Sequence, residues 1–152
     1  MPPLKGIDRG LNGNALKSLE ESGHEDKIVI VDPSYSIPER AKVIDYQGDS
    51  SAQALKGILN LVPHEPLALD GWDVICMAPD SAEEECSARD AFREVANELR
   101  LGLGASTRHG TEEFPRGFYS GANELEKSTL FVRTRDRKAY ACAMFIVGHS
   151  QE

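Results

Sequence analysis

A histidine and an aspartate stand on either side of one short apolar run near the start of the chain. His24 precedes the run, Asp32 ends it, and residues 27–31 between them read KIVIV. An imidazole, whose ordinary pKa is about 6.5, can accept or donate a proton near neutral pH. A carboxylate can hold hydroxyl groups through charge-assisted hydrogen bonds. Alone, His24 also fits a helix-end residue and Asp32 a turn residue, so each has an ordinary structural explanation.

The elements around this pair are predicted from spacing. Asn12 or Asn14 caps a short helix, and Gly23 stands where a left-handed residue would end it. Residues 27–31 lack polar alternation, which predicts a strand covered on both faces. Asp32 is then at the carboxyl end of a strand, where open α/β sheets bind their ligands.

The rest of the chain alternates strand-like and helix-like segments. Strands are predicted at 42–45 and 72–78, helices at about 52–61 and 81–101, and two final strands at 129–133 and 139–147. The charged turn 134–138 would join the last two as a hairpin. The pattern predicts an α/β fold in which residues 1–152 form a single layered domain, with a mixed sheet, flanking helices and a C-terminal β-hairpin.

Composition narrows the classes of partner. The 17 Lys and Arg against 25 Asp and Glu leave a net charge of −8, which argues against nucleic acid and anionic membranes and favours neutral ligands. No apolar run is long enough to span a bilayer, and no signal peptide is visible. Three cysteines without paired spacing fit a reducing cytoplasm and no zinc site.

Residues 23–32, GHEDKIVIVD, resemble the G-H-x-D-x-hydrophobic-x-x-D segment of the ribose pyranase and fucose mutarotase family. The similarity continues through residues 37–48 and the helix at 54–63, and is closer to the fucose branch. Residues 138–142, KAYAC, are similar to the family's terminal Tyr-small-Asn motif. About the first half and the last quarter of the chain carry the resemblance.

The resemblance implies a mutarotase that interconverts the cyclic forms of a free monosaccharide, L-fucose or a related sugar, without cofactor or metal. Catalysis would use His24 for proton transfer, helped by Tyr140. The residues that would bind sugar hydroxyls are Asp32, Arg108, Tyr119, Ala141 and Cys142, with Arg116 as the alternative to Arg108. Cys142 departs from the family because asparagine is expected there, and the thiol lacks the donor and acceptor of an amide.

The family also implies a ring-shaped homo-oligomer, commonly a decamer, whose pockets are completed by a neighbouring subunit. A different class of protein stays open: a non-catalytic sugar-binding or regulatory protein that keeps the pocket without turnover. A nucleotide-binding domain is disfavoured, because no glycine-rich phosphate loop follows the first strand.

Overall fold

The computed structural model describes residues 7–23, 26–37, 39, 41–66, 72–79, 85–106 and 129–148. These residues form three helices and seven strands. In chain order they are α1 Gly13–Glu20, β1 Lys27–Val31, β2 Lys42–Asp45, α2 Ser51–Leu59, β3 His64–Glu65, β4 Val74–Met77, α3 Ser87–Leu99, β5 Leu103–Ser106, β6 Thr129–Arg133 and β7 Ala143–Val147.

All seven strands belong to one mixed sheet. Its order is β2-β6-β1-β7-β4-β5, and the short β3 also pairs with β7. β6 is parallel to β1 and β2, β4 is parallel to β5, and β7 is antiparallel to both β1 and β4. Five strands, β1, β2, β4, β5 and β6, therefore end where β7 begins. We call this end of the sheet the carboxyl end, and the opposite one the amino end.

The predicted mixed sheet with flanking helices is confirmed, but the predicted C-terminal hairpin is wrong. β6 and β7 do not pair with each other, because β1 lies between them and pairs with both. Every residue of β1 is buried. A central strand offers hydrogen-bonding groups on both sides, so two apolar strands that are neighbours in sequence can flank it instead of pairing. The segment 134–142 then crosses the carboxyl end of β1.

Helices cover one face of the sheet. Ile28 and Ile30 of β1 belong to a cluster that includes Leu19 of α1, Leu55 of α2 and Phe92 of α3. On the other face, Val29 and Val31 pack in a second cluster, against which Tyr35 and Ile37 from the segment after β1 also pack. The prediction that residues 27–31 form a strand covered on both faces is confirmed.

The helix ends confirm some boundaries and correct others. α1 begins directly after Asn12, one of the two predicted caps. The Asn12 side chain accepts a hydrogen bond from the Ala15 amide at 2.9 Å. Its end differs from the prediction: Glu21 is a right-handed C-cap, and Gly23 has no left-handed backbone. The Gly23 amide instead donates to a carboxylate oxygen of Asp26 at 2.8 Å.

The third helix is shorter than the sequence suggests. α3 begins at Ser87, with Cys86 as its N-cap, later than the predicted start near 81. Residues 80–84 lie outside the described part of the chain. Among the described helices α3 is the longest, and none of them is long and apolar enough to cross a membrane.

Candidate active site

Asp32 follows β1 directly at the carboxyl end of the sheet, and only 4% of its surface is exposed. One carboxylate oxygen accepts hydrogen bonds from the Ser34 amide at 3.0 Å, the Ser34 hydroxyl at 2.6 Å and the Tyr35 amide at 3.1 Å. The other accepts from the Ala141 amide at 3.2 Å. Several donors around one buried carboxylate satisfy its hydrogen-bonding capacity and fix its position.

The segment immediately before β7 passes beside Asp32. Tyr140 is half-buried and has a left-handed backbone, with φ of 60°. Ala141 and Cys142 are buried. The left-handed region is unfavourable for a bulky side chain, and such conformations are concentrated at functional sites. The hydrogen bond from Ala141 to Asp32 ties this turn to the end of β1.

The thiol of Cys142 is held in its neutral form. Burial, followed by the negative charge of the neighbouring Asp32, raises the pKa of this thiol above its ordinary value. The backbone carbonyl of Cys142 accepts a hydrogen bond from the Met77 amide at 2.9 Å, which joins this turn to the end of β4. A buried neutral thiol is a weak hydrogen-bond donor with little nucleophilic character.

A buried polar network adjoins Asp32 on the side of β6. Both the amide and the hydroxyl of Thr134 donate to the Val31 carbonyl, at 3.0 and 3.1 Å. The Thr134 hydroxyl has only one proton, which it donates to Val31. It therefore accepts a hydrogen bond from the Ser51 hydroxyl at 2.8 Å. The Asp136 carboxylate accepts from the Ser51 amide at 2.9 Å. The start of α2 is thereby joined to the loop that crosses β1.

The amino end of β1 is built differently. Gly23 and Asp26, the described residues on either side of the predicted acid/base histidine, form one exposed turn there. Asp32 stands six positions after Asp26, and an extended chain rises about 3.3 Å per residue. Within one chain the two aspartates therefore lie about 20 Å apart, at opposite ends of the sheet.

The structure brings together four of the predicted site residues: Asp32, Tyr140, Ala141 and Cys142. The other predicted site residues lie outside the described part of the chain, namely His24, Arg108, its alternative Arg116, and Tyr119. Their roles stay predictions. Among the described residues, no group of three or more His, Cys, Asp or Glu side chains is placed to hold a metal ion.

Three residues that support the site were not singled out from the sequence. Ser34 makes the shortest hydrogen bond to Asp32, and Thr134 and Asp136 form the network beside it. Asp32, Pro33 and Ser34 have the composition of an Asx turn, which could have indicated Ser34. Thr134 and Asp136 were assigned to a charged turn, and only their burial reveals their role.

Ligands of open α/β sheets bind beyond the carboxyl ends of the strands, which is where the buried carboxylate of Asp32 lies. A model of the RbsD / FucU transport protein family matches residues 5–149. The chain therefore belongs to the RbsD/FucU family. Comparison with curated protein sequences gives no match.

Solved structures share the fold. The fucose mutarotase of Streptococcus pneumoniae, solved with L-fucose, is 22% identical with a TM-score of 0.73, over 97% of this chain and all of that one. FucU from Bifidobacterium longum is 21% identical with a TM-score of 0.72, over 97% of this chain and 100% of the other. RbsD of Bacillus subtilis, solved with D-ribose, is 20% identical with a TM-score of 0.63, over 93% and 95%. These similarities confirm the predicted α/β fold with a mixed sheet and flanking helices.

Proposed function

We propose that the chain is a cytoplasmic monosaccharide mutarotase, a single-domain isomerase that interconverts the anomers of L-fucose or a related sugar. The observation that carries the proposal is Asp32, a buried carboxylate fixed beside the Tyr140 turn at the carboxyl end of the sheet. Family membership and the sugars bound by the similar structures support it. The three free buried cysteines fit a reducing compartment.

The chemistry needs two proton transfers. A base removes the proton of the anomeric hydroxyl while an acid protonates the ring oxygen, and the C1–O ring bond breaks to leave the open-chain aldehyde. Rotation about the C1–C2 bond and reclosure then give the other anomer. We assign the proton transfer to His24, since general acid/base help is typically worth about 10²- to 10⁴-fold.

In this proposal the carboxyl end of the sheet orients the sugar. Asp32 accepts hydrogen bonds from ring hydroxyls, and Tyr140 relays the second proton or holds the open-chain oxygen. Arg108 and Tyr119 are assigned to further hydroxyls. Cys142 places a small neutral group in the wall of the pocket, since its thiol is buried and un-ionised.

The site is completed by a second copy of the chain. The segment around Gly23 and Asp26 and the carboxylate of Asp32 lie about 20 Å apart within one chain, too far to touch one monosaccharide together. A symmetric ring, such as a decamer, brings the histidine segment of one copy to the carboxyl end of its neighbour. Light scattering tests this part, because a monomeric protein that exchanges anomers would contradict it.

Saturation-transfer NMR on L-fucose, D-ribose and D-galactose tests the proposed activity. We expect anomer exchange faster than in buffer, and His24→Gln should abolish the acceleration while circular dichroism shows an unchanged fold. The lost amide at Cys142 favours a second candidate, a non-catalytic sugar-binding or regulatory protein. Detectable sugar binding with exchange no faster than buffer would select that candidate.

A further inference from the structure

A cleft of about 690 Å³ adjoins the candidate site at the carboxyl end of the sheet. Its walls are Gly48, Asp49, Arg135, Asp136, Arg137 and Lys138. Three of these six residues are cationic, although the whole chain carries a net charge of −8. Net charge averages over the whole surface, so it does not reveal this local group of positive charges.

The backbone turns the two arginines outward. Along residues 134–137 the side chains alternate, with Thr134 and Asp136 buried and Arg135 and Arg137 exposed. Such alternation is the period of an extended chain. The Arg135 amide also donates to the Gly48 carbonyl at 3.1 Å, which fixes the loop to the turn before α2. Both arginine side chains are therefore exposed on one anchored segment that lines the cleft.

The carboxylates nearby leave these arginines available. Asp136 accepts from the Ser51 and Lys138 amides, both at 2.9 Å, and is 4% exposed. Its contact with the Lys138 ammonium is longer, at 3.9 Å. Neither Arg135 nor Arg137 forms an ion pair with a described residue, and the exposed Asp49 is the remaining acidic group in the cleft wall.

The segment that lines the cleft is joined at both of its ends to residues assigned to the sugar. Thr134 is bonded to the Val31 carbonyl, one residue before Asp32, and Lys138 is two residues before Tyr140. Consecutive Cα atoms are about 3.8 Å apart, so the Cα atom of Lys138 lies at most about 8 Å from that of Tyr140.

We infer that the preferred substrate is an anionic monosaccharide, whose phosphate or carboxylate group is bound by Arg135 and Arg137. This inference rests on the proposed mutarotase function. It specifies that the preferred sugar carries a negative charge. Guanidinium groups match both anions because they form paired, charge-assisted hydrogen bonds in one plane. Lys138 adds a third positive charge to the same wall.

Anomer exchange on matched sugars tests the inference. The probes are D-galactose, D-galacturonate and D-galactose 6-phosphate, with D-ribose and D-ribose 5-phosphate as a second set. We expect kcat/KM for an anionic sugar to exceed that of its neutral parent by about tenfold or more. Comparison of D-galacturonate with the sugar phosphates shows whether the cleft prefers a carboxylate or a phosphate group. The double variant Arg135→Gln with Arg137→Gln should bring the ratio close to one.

Arg93→Gln is the matched control, since it removes one positive charge from an exposed position on α3. It should leave the ratio unchanged. Equal rates for anionic and neutral sugars in the wild type would overturn the inference, as would an equal loss for both in the double variant. Light scattering on that variant checks assembly: a dissociated ring with an unchanged ratio would assign the arginines to a subunit contact instead.

Calorimetry separates this inference from the proposed activity. If no sugar exchanges faster than in buffer, the mutarotase proposal fails, and binding alone decides the role of the cleft. Tighter binding of the anionic sugar than of its neutral parent, lost in the double arginine variant, would sustain the anion site. Equal affinities, or no binding of either sugar, would remove it.

Discussion

The two ends of β1 are built in opposite ways. At the carboxyl end, Asp32, Thr134 and Asp136 are buried, and each makes several hydrogen bonds to described residues. At the amino end, the Gly23 amide and the carboxylate of Asp26 form one exposed hydrogen bond. Buried polar groups are costly unless they are paired, so the carboxyl end is fixed by its own network.

This difference fits two separate roles for the two ends of β1. A fixed end suits the orientation of sugar hydroxyls, since pre-positioned partners lose little freedom on binding. The amino end carries the segment assigned to proton transfer, which in our proposal meets another copy of the chain. Loss of stability should therefore be large at the carboxyl end and small at the amino end.

The largest effect is expected at Asp32. Asp32→Asn introduces an amide that cannot accept from both the Ser34 side and the Ala141 side, so one buried donor loses its partner. We expect a loss of about 3 kcal/mol in the free energy of unfolding. Urea denaturation measures it.

Asp45→Asn is the matched control at the end of β2, which lies beyond β6 at the same end of the sheet. The Asp45 side chain is 55% exposed and pairs with Arg133 at 2.8 Å. Exposed ion pairs contribute about 0–1 kcal/mol, so the loss should be below about 1 kcal/mol. Equal losses at the two aspartates would contradict the contrast between a buried and an exposed carboxylate.

The next effect is expected in the Thr134 network. Thr134→Val removes the hydroxyl that joins Val31, Ser51 and the amide of Asp136, and we expect a loss of about 1–2 kcal/mol. A double-mutant cycle with Ser51→Ala should give a coupling of at least about 0.5 kcal/mol. Additive losses would mean that the two hydroxyls do not act as a pair.

A pH dependence follows from the buried thiols. Burial raises the pKa of Cys76 to about 11, and burial with the charge of Asp32 raises that of Cys142. Above pH 9 the unfolded chain releases these protons first, so proton release favours unfolding. Stability should be full below about pH 9 and should fall as the pH rises towards 11.

Chemical denaturation between pH 8 and pH 11 checks this dependence. Cys76→Ala and Cys142→Ala should each flatten the fall in unfolding free energy, whatever their effect on stability at pH 8. A slope unchanged from the wild type in both variants would show that the thiols do not cause the alkaline loss.

The smallest effect is expected at the amino end. Asp26→Asn weakens one exposed hydrogen bond from the Gly23 amide, and we expect less than about 0.5 kcal/mol in urea denaturation. A loss comparable to that of Asp32→Asn would erase the difference between the two ends of β1.

Local patterns predicted the elements that carry the site. Residues 27–31, which lack polar alternation, indicated a strand covered on both faces, and Asn12 or Asn14 indicated the start of α1. The strand is confirmed, and the cap is Asn12. The resemblance of residues 23–32 and 138–142 predicted the family, which the match to residues 5–149 confirms. The identity of this strand and the N-cap of α1 depend on nearby residues, which is why sequence sufficed for these two features.

Pairing between distant strands could not be predicted in the same way. The predicted hairpin of β6 and β7 is wrong, because β1 lies between them and pairs with both. Which strands pair depends on which strand has an unpaired side in the finished sheet. For the same reason the burial of Asp136 was not foreseen: its partner, the Ser51 amide, lies 85 positions earlier in the chain. The charged stretch 134–138 reads as a solvated turn until that contact is known.

Mixing two inactive variants tests most directly whether the two ends of β1 act together in one site across two copies. His24→Ala removes the proposed proton-transfer group from one end, and Tyr140→Phe removes the proposed hydroxyl relay from the other. After denaturation and refolding of an equal mixture, random assembly pairs an intact amino end with an intact carboxyl end in about a quarter of the sites. Anomer exchange on L-fucose and on the anionic sugars should then recover to about a quarter of the wild-type rate. A mixture that forms mixed oligomers and stays as inactive as its two parents would contradict a site shared between copies.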